Sequence, residues 1–93
     1  MHEYHAVEYA VKQAIEKAMA NNAFRISRVN LVIGERLGFE ESSIRLYFET
    51  ISENTIAAGA QLHMKWKKAA NSSVRGGREF YIDNIEIEKA DNC

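Results

Sequence analysis

The spacing of apolar residues switches between two periods along this chain, and that switching most narrowly limits the folds open to it. Val7, Val11, Ala14, Ile15, Ala18 and Met19 recur every three or four positions, with Glu8, Lys12, Glu16 and Lys17 mostly on the other side. This spacing predicts an amphipathic helix over residues 4–21, with Glu8 and Lys12 in the favourable i,i+4 order and Asn21-Asn22 as its stop. Val29, Leu31 and Ile33 then alternate with Asn30, Val32 and Gly34, the period of a strand, and Gly34 and Gly38 frame the turn that follows. The helical period returns over residues 41–53, where Ile44, Tyr47, Phe48 and Ile51 share a face and Glu40-Glu41 bring negative charge to the amino-terminal end. After the small-residue turn Ala57-Ala58-Gly59-Ala60, Leu62, Met64 and Trp66 alternate with His63, Lys65 and Lys67, which predicts a half-buried strand with a cationic outer face. Phe80 and Ile82 alternate, and Ile85 and Ile87 do so one residue out of phase, predicting a long final strand bulged near Asp83-Asn84.

The order α, β, α, β, β predicts an α/β fold, a small mixed β-sheet with two α-helices packed on one face. A right-handed crossover through the second helix makes the first two strands parallel. The short polar loop before the last strand favours an antiparallel pair between the last two. At 93 residues the chain fits one domain, residues 1–93. Its expected core is Val11, Ile15, Leu31, Ile33, Phe48, Ile51, Leu62 and Ile82. No repeat or low-complexity tract interrupts it, and residues 68–77 form a loop without apolar periodicity.

Composition removes several functions. Twelve basic and thirteen acidic residues give a formal charge of −1, which argues against binding a polyanion through overall charge. Lys65-Trp66-Lys67-Lys68, with Arg75 and Arg78, interleaves basic and aromatic residues, but Trp66 shares the apolar alternation of Leu62 and Met64 and is expected in the core. No apolar run approaches the roughly 20 residues of a membrane span and no signal segment opens the chain, so a cytoplasmic location is expected. The single cysteine, Cys93, allows no internal disulfide and no CxxC clip; structural zinc is excluded on ligand count unless chains share it. No nucleophile pair or phosphate-cradling loop is present, Arg75-Gly76-Gly77-Arg78 being too little, so the chain is not read as an enzyme.

The chemistry concentrates at the amino terminus, Met1-His2-Glu3-Tyr4-His5. The α-amine of Met1, the amide nitrogen of His2 and the His2 imidazole can close adjacent chelate rings in one plane, as square-planar nickel(II) or copper(II) prefers. Bulky His2 should leave the initiator Met1 in place. Alone, a terminal histidine is more often solvated than ligating. His5, one turn on, could add an axial donor but fits a surface histidine better. His63, among lysines, is expected as an exposed strand residue, and Cys93 as an incidental thiol.

Met1-His2-Glu3-Tyr4, Ile33-Gly34-Glu35-Arg36, Phe48-Glu49-Thr50, Gly77-Arg78-Glu79-Phe80-Tyr81-Ile82 and Ile85-Glu86-Ile87-Glu88 occur in one order along the chain. In that order and spacing they resemble the hydrogenase nickel-incorporation accessory proteins, the HypA/HybF family. The resemblance implies a nickel-binding α/β domain that holds nickel(II) through its Met-His-Glu segment, here Met1, His2 and Glu3, with a carboxylate near the second helix; Glu40 stands where that carboxylate is expected. It further implies a metallochaperone for [NiFe]-hydrogenase maturation. The implied partners are a HypB-type GTPase and the [NiFe]-hydrogenase large-subunit precursor, with urease accessory proteins as a further candidate. The family carries a zinc-binding lobe on two CxxC pairs, and this chain lacks those cysteines; residues 68–77 stand where the lobe would be inserted. No zinc is therefore expected, and the shortened hinge makes the final strand a candidate for exchange in a homodimer. No nucleic-acid or membrane partner is expected. Two other readings stay open, a metal-independent interaction domain and a small nucleic-acid-binding α/β module using the basic strand.

Overall fold

Strand β1 (Ala23–Gly34) runs through the centre of a three-stranded sheet of order β2-β1-β3. The computed structural model describes residues 2–68 and 79–90. Around β1 lie helix α1 (His2–Ala20), a 3-10 turn at Glu35–Leu37, helix α2 (Glu41–Ser52), β2 (Gln61–Lys67) and β3 (Phe80–Lys89). The α/β class and the element order are those predicted.

α1 forms where the helical period lies and starts two residues earlier, at His2. Its buried stripe is Val7, Ala10, Val11, Ala14 and Ala18. Small alanines there let the helix approach the sheet closely. Met19, expected on this face, is 61% exposed instead, because the stripe ends at Ala18 where the helix stops. Asn22 closes it in the left-handed region at φ 62, a conformation asparagine tolerates better than most residues, and the Asn21 side chain donates to Lys17 O at 2.9 Å. α2 buries Ile44 and Phe48 and half-buries Tyr47 and Ile51, the face read from the sequence.

β1 pairs parallel with β2, Val29 opposite Leu62 and Ile33 opposite Trp66. The last two strands are not a pair: β3 lies antiparallel to β1 on its other side. The reason lies in β1 itself, where Leu31, Val32 and Ile33 are all buried. A strand apolar on both faces belongs in the middle of a sheet, and seating β3 beyond β1 gives it that place. The expected bulge is present, since Asn30 faces Asn84 and Leu31 faces Ile82, which leaves Asp83 as the extra residue.

Within the helix–sheet core, Val11, Leu31, Ile33, Phe48 and Leu62 are buried as expected, while Ile15, Ile51 and Ile82 are only partly so. Ile26, Ile33, Ile44 and Val7 are the largest fully buried apolar side chains. Truncating such a residue to Ala costs about 2–5 kcal/mol. Trp66 packs against this core. Among the described residues, no helix is long and apolar enough to cross a membrane.

Candidate metal centre

The amino-terminal ends of the two helices meet, and one carboxylate joins them. Glu3 Oε2 accepts a hydrogen bond from the backbone N–H of Glu40 at 2.8 Å, across 37 residues of sequence. Glu40 is the N-cap of α2, and its side chain makes no capping hydrogen bond. In a capping box the third helical residue returns a carboxylate to the N-cap N–H. That position in α2 is Ser43, so Glu3 serves this donor from the neighbouring helix. The Tyr4 ring packs edge-on against Tyr47 at 5.3 Å between centroids, a second tie between α1 and α2.

The segment bearing Glu40 is fixed from its other side. Gly38 takes the left-handed conformation, φ 73, and its N–H returns to Glu35 O at 3.2 Å. Glycine adopts that backbone without the steric cost a side chain adds. Phe39 lies edge-on to Phe80 at 5.7 Å, and Arg36 Nε donates to Glu79 Oε2 at 3.0 Å.

Of the sequence-predicted donors, the fold joins Glu3 to Glu40 and leaves His2 exposed beside Glu3; Met1 lies outside the described residues. His2 is the first residue of α1. The first amides of a helix have no intrahelical acceptor, so the His2 nitrogen is not committed to the helix ladder. Two helix starts direct partial positive charge here, which disfavours a cation unless carboxylates offset it. Glu3 and Glu40 supply that charge, whereas the Glu41 carboxylate is paired with Arg45 at 3.1 Å. His5 sits on the surface, 73% exposed, with Nδ1 3.6 Å from Glu8 Oε1. His63 is exposed on β2 and lines a separate cleft with Arg28 and Arg45, while Cys93 lies outside the described residues. Among the described residues no group of three or more His, Cys, Asp or Glu side chains is arranged to hold a metal. The Glu3 bond to the Glu40 backbone, Tyr47, and the Arg36–Glu79 pair were not found from sequence. They depend on long-range packing, and only the Gly34-Glu35-Arg36 turn gave a local signal.

A family described as hydrogenase/urease nickel incorporation, metallochaperone, HypA, matches residues 1–72. The hydrogenase maturation factor HypA of Dehalococcoides mccartyi is 33% identical over 113 aligned residues, covering 95% of this chain and 95% of that protein. That of Caldanaerobacter subterraneus subsp. tengcongensis is 29% identical, covering 95% and 100%. The solution structure of the Ni metallochaperone HypA from Helicobacter pylori has the same fold, with TM-score 0.78 at 23% identity over 95% of this chain and 98% of that one. With a family match over most of its length and a relative one-third identical across nearly all of it, the chain belongs to the HypA family, metallochaperones of nickel incorporation and hydrogenase maturation rather than enzymes.

Proposed function

We propose that this protein carries nickel(II) as cargo at its amino terminus, held by the Met1 amine, the His2 amide and imidazole, and Glu3, with Glu40 in a supporting role. The observation that carries this is the Glu3–Glu40 contact at 2.8 Å, which sets two carboxylate-bearing residues beside His2. One Glu3 oxygen is engaged by the Glu40 N–H, so ligation through Glu3 uses its other oxygen or loosens that bond. The Glu40 carboxylate, not occupied in capping its helix, is available to neutralise the ion. Exposed donors suit a carrier, because cargo that must be handed on cannot be enclosed.

The carrier serves [NiFe]-hydrogenase maturation, with a HypB-type GTPase and the hydrogenase large-subunit precursor as partners and urease accessory proteins as a further acceptor route. It works without a zinc lobe. The single cysteine supports this, as do alignments of 113 positions against a chain of 93 residues, which require gaps in this chain. On this reading residues 1–93 form one nickel-binding α/β domain that works in the cytoplasm, with residues 68–77 standing where the lobe would be inserted.

Nickel titration of protein with a free Met1 amine, beside a version extended by Gly-Ser, tests the reading. The native terminus should bind one nickel per chain and release protons, with affinity rising as pH rises, because the amine and amide must be deprotonated to coordinate. The extension should abolish tight binding and leave helical circular dichroism unchanged. Equal binding by the two forms sinks the terminal chelate.

A further inference from the structure

We propose that Glu79, acting through Arg36 and against Gly34, is a positioning residue of the metal site. The inference rests on the nickel reading above. Glu79 is the residue before β3, far from the amino terminus in sequence, and it grips the turn that leads to Glu40. Its backbone oxygen accepts the Gly34 N–H at 2.6 Å, and its Oε2 accepts from Arg36 Nε at 3.0 Å. Its other oxygen, Oε1, is buried and has no hydrogen-bond partner among the described residues.

Gly34 makes it possible. A Cβ at position 34 would meet Glu79 Oε1 at 2.5 Å and Glu79 Cβ at 3.1 Å. Gly34 has φ −75 and ψ 130, ordinary extended backbone, so glycine is needed there for the space its missing side chain leaves, not for its conformational freedom. The carboxylate lies in that space and reaches Arg36 in the 3-10 turn.

From this latch the connection to the metal site is short. Arg36 is followed by Leu37, Gly38, Phe39 and Glu40, and Phe39 is itself pinned on Phe80, the residue after Glu79. Two consecutive residues, Glu79 and Phe80, therefore fix both ends of a four-residue span, and Glu40 follows it directly. The Glu40 N–H must point at Glu3, and the direction of that N–H is set by the segment the latch holds. Releasing Arg36 frees the turn, blurs the Glu3–Glu40 contact and misaligns the carboxylates that His2 depends on.

Gly34→Ala separates this from a general loss of stability. Alanine accepts the backbone at position 34 but its methyl drives the Glu79 carboxylate away; Glu79→Gln keeps the shape and removes the charge. Two readouts are needed. In metal-free protein, the amide resonance of Glu40 reports the Glu3 contact; both variants should shift it and raise its hydrogen exchange, and Arg36→Lys, which keeps a cation, should shift it less. In nickel titrations both variants should lose about tenfold in affinity, the lower end of the roughly 10- to 100-fold that outer partners of a metal site cost. The double variant Glu79→Gln/Arg36→Met should lose no more than either single change, since both remove the same ion pair. A Glu40 amide unmoved in Gly34→Ala and Glu79→Gln overturns the latch whatever nickel does. A shifted amide with unchanged nickel affinity overturns its role in the metal site. If the unaltered protein shows no terminus-dependent nickel binding, the nickel reading fails and the positioning role falls with it.

Discussion

His2 and His63 stand in opposite chemical company. His2 opens α1 beside Glu3, whose carboxylate reaches Glu40 at the start of α2. His63 lines an open cleft of about 460 Å³ with Arg28, Arg45 and Gln61, and Glu49 is the one carboxylate on its wall. In that cleft Arg45 donates to Leu62 O at 3.1 Å and to Glu41 at 3.1 and 3.3 Å. A divalent cation entering there meets guanidinium charge; at the helix starts it meets carboxylates. The cleft is thus the poorer metal site, and the sign of the surrounding charge separates the two places.

The largest expected effect is the split between the two histidines. His2→Ala should cost far more than the roughly 10- to 100-fold that outer-partner changes cost a metal site, since it removes one chelate ring outright. His63→Ala should leave nickel affinity unchanged. Isothermal titration of both variants measures the split; equal losses would show that the cationic cleft takes part and would break the contrast.

Next in size is a division within the acidic end. Glu3→Ala removes both a proposed ligand and the acceptor for the Glu40 N–H, so nickel affinity and stability should fall together, the latter by about 1 kcal/mol, as for loss of a helix cap. Glu40→Ala leaves that backbone bond intact and removes only charge. It should weaken nickel less than Glu3→Ala and move urea midpoints little. Glu40→Ala as destabilising as Glu3→Ala would mean that its side chain, not its amide, joins the helices.

The contrast was half legible in the sequence. Periodicity located both helices and the inward set Leu62, Met64 and Trp66, and the phase change at Asp83-Asn84 located the bulge, because burial of one face writes its period directly into the chain. Strand pairing was misread, since loop length favours neighbours in sequence, whereas the buried run Leu31-Val32-Ile33 required β1 at the centre. Glu3 and Glu40 were named through a family resemblance. Their contact runs through a backbone N–H, which every non-proline residue carries, so no residue type signals it. The latch at Glu79 was hidden for a similar reason: Gly34, Arg36 and Glu79 stand in segments that carry the family resemblance, but nothing in those segments says that they meet.

The smallest expected effect is on stability when metal is withdrawn. If the metal end only carries cargo and the fold is held by Val7, Ile26, Ile33 and Ile44, a strong chelator should leave the melting temperature unchanged. A loss of 1 kcal/mol would lower it by roughly 4–8 °C in a domain of this size, so the absence of a shift is readily detected. Small domains that depend on structural zinc behave oppositely and unfold when it is stripped. Saturating nickel should raise the melting temperature only through preferential binding to the folded form, an increment that grows with free nickel concentration. That increment should vanish in the Gly-Ser extended protein. A large drop on chelation in freshly purified protein to which no nickel has been added would reveal a structural metal and dissolve the distinction between a cargo end and a self-sufficient core.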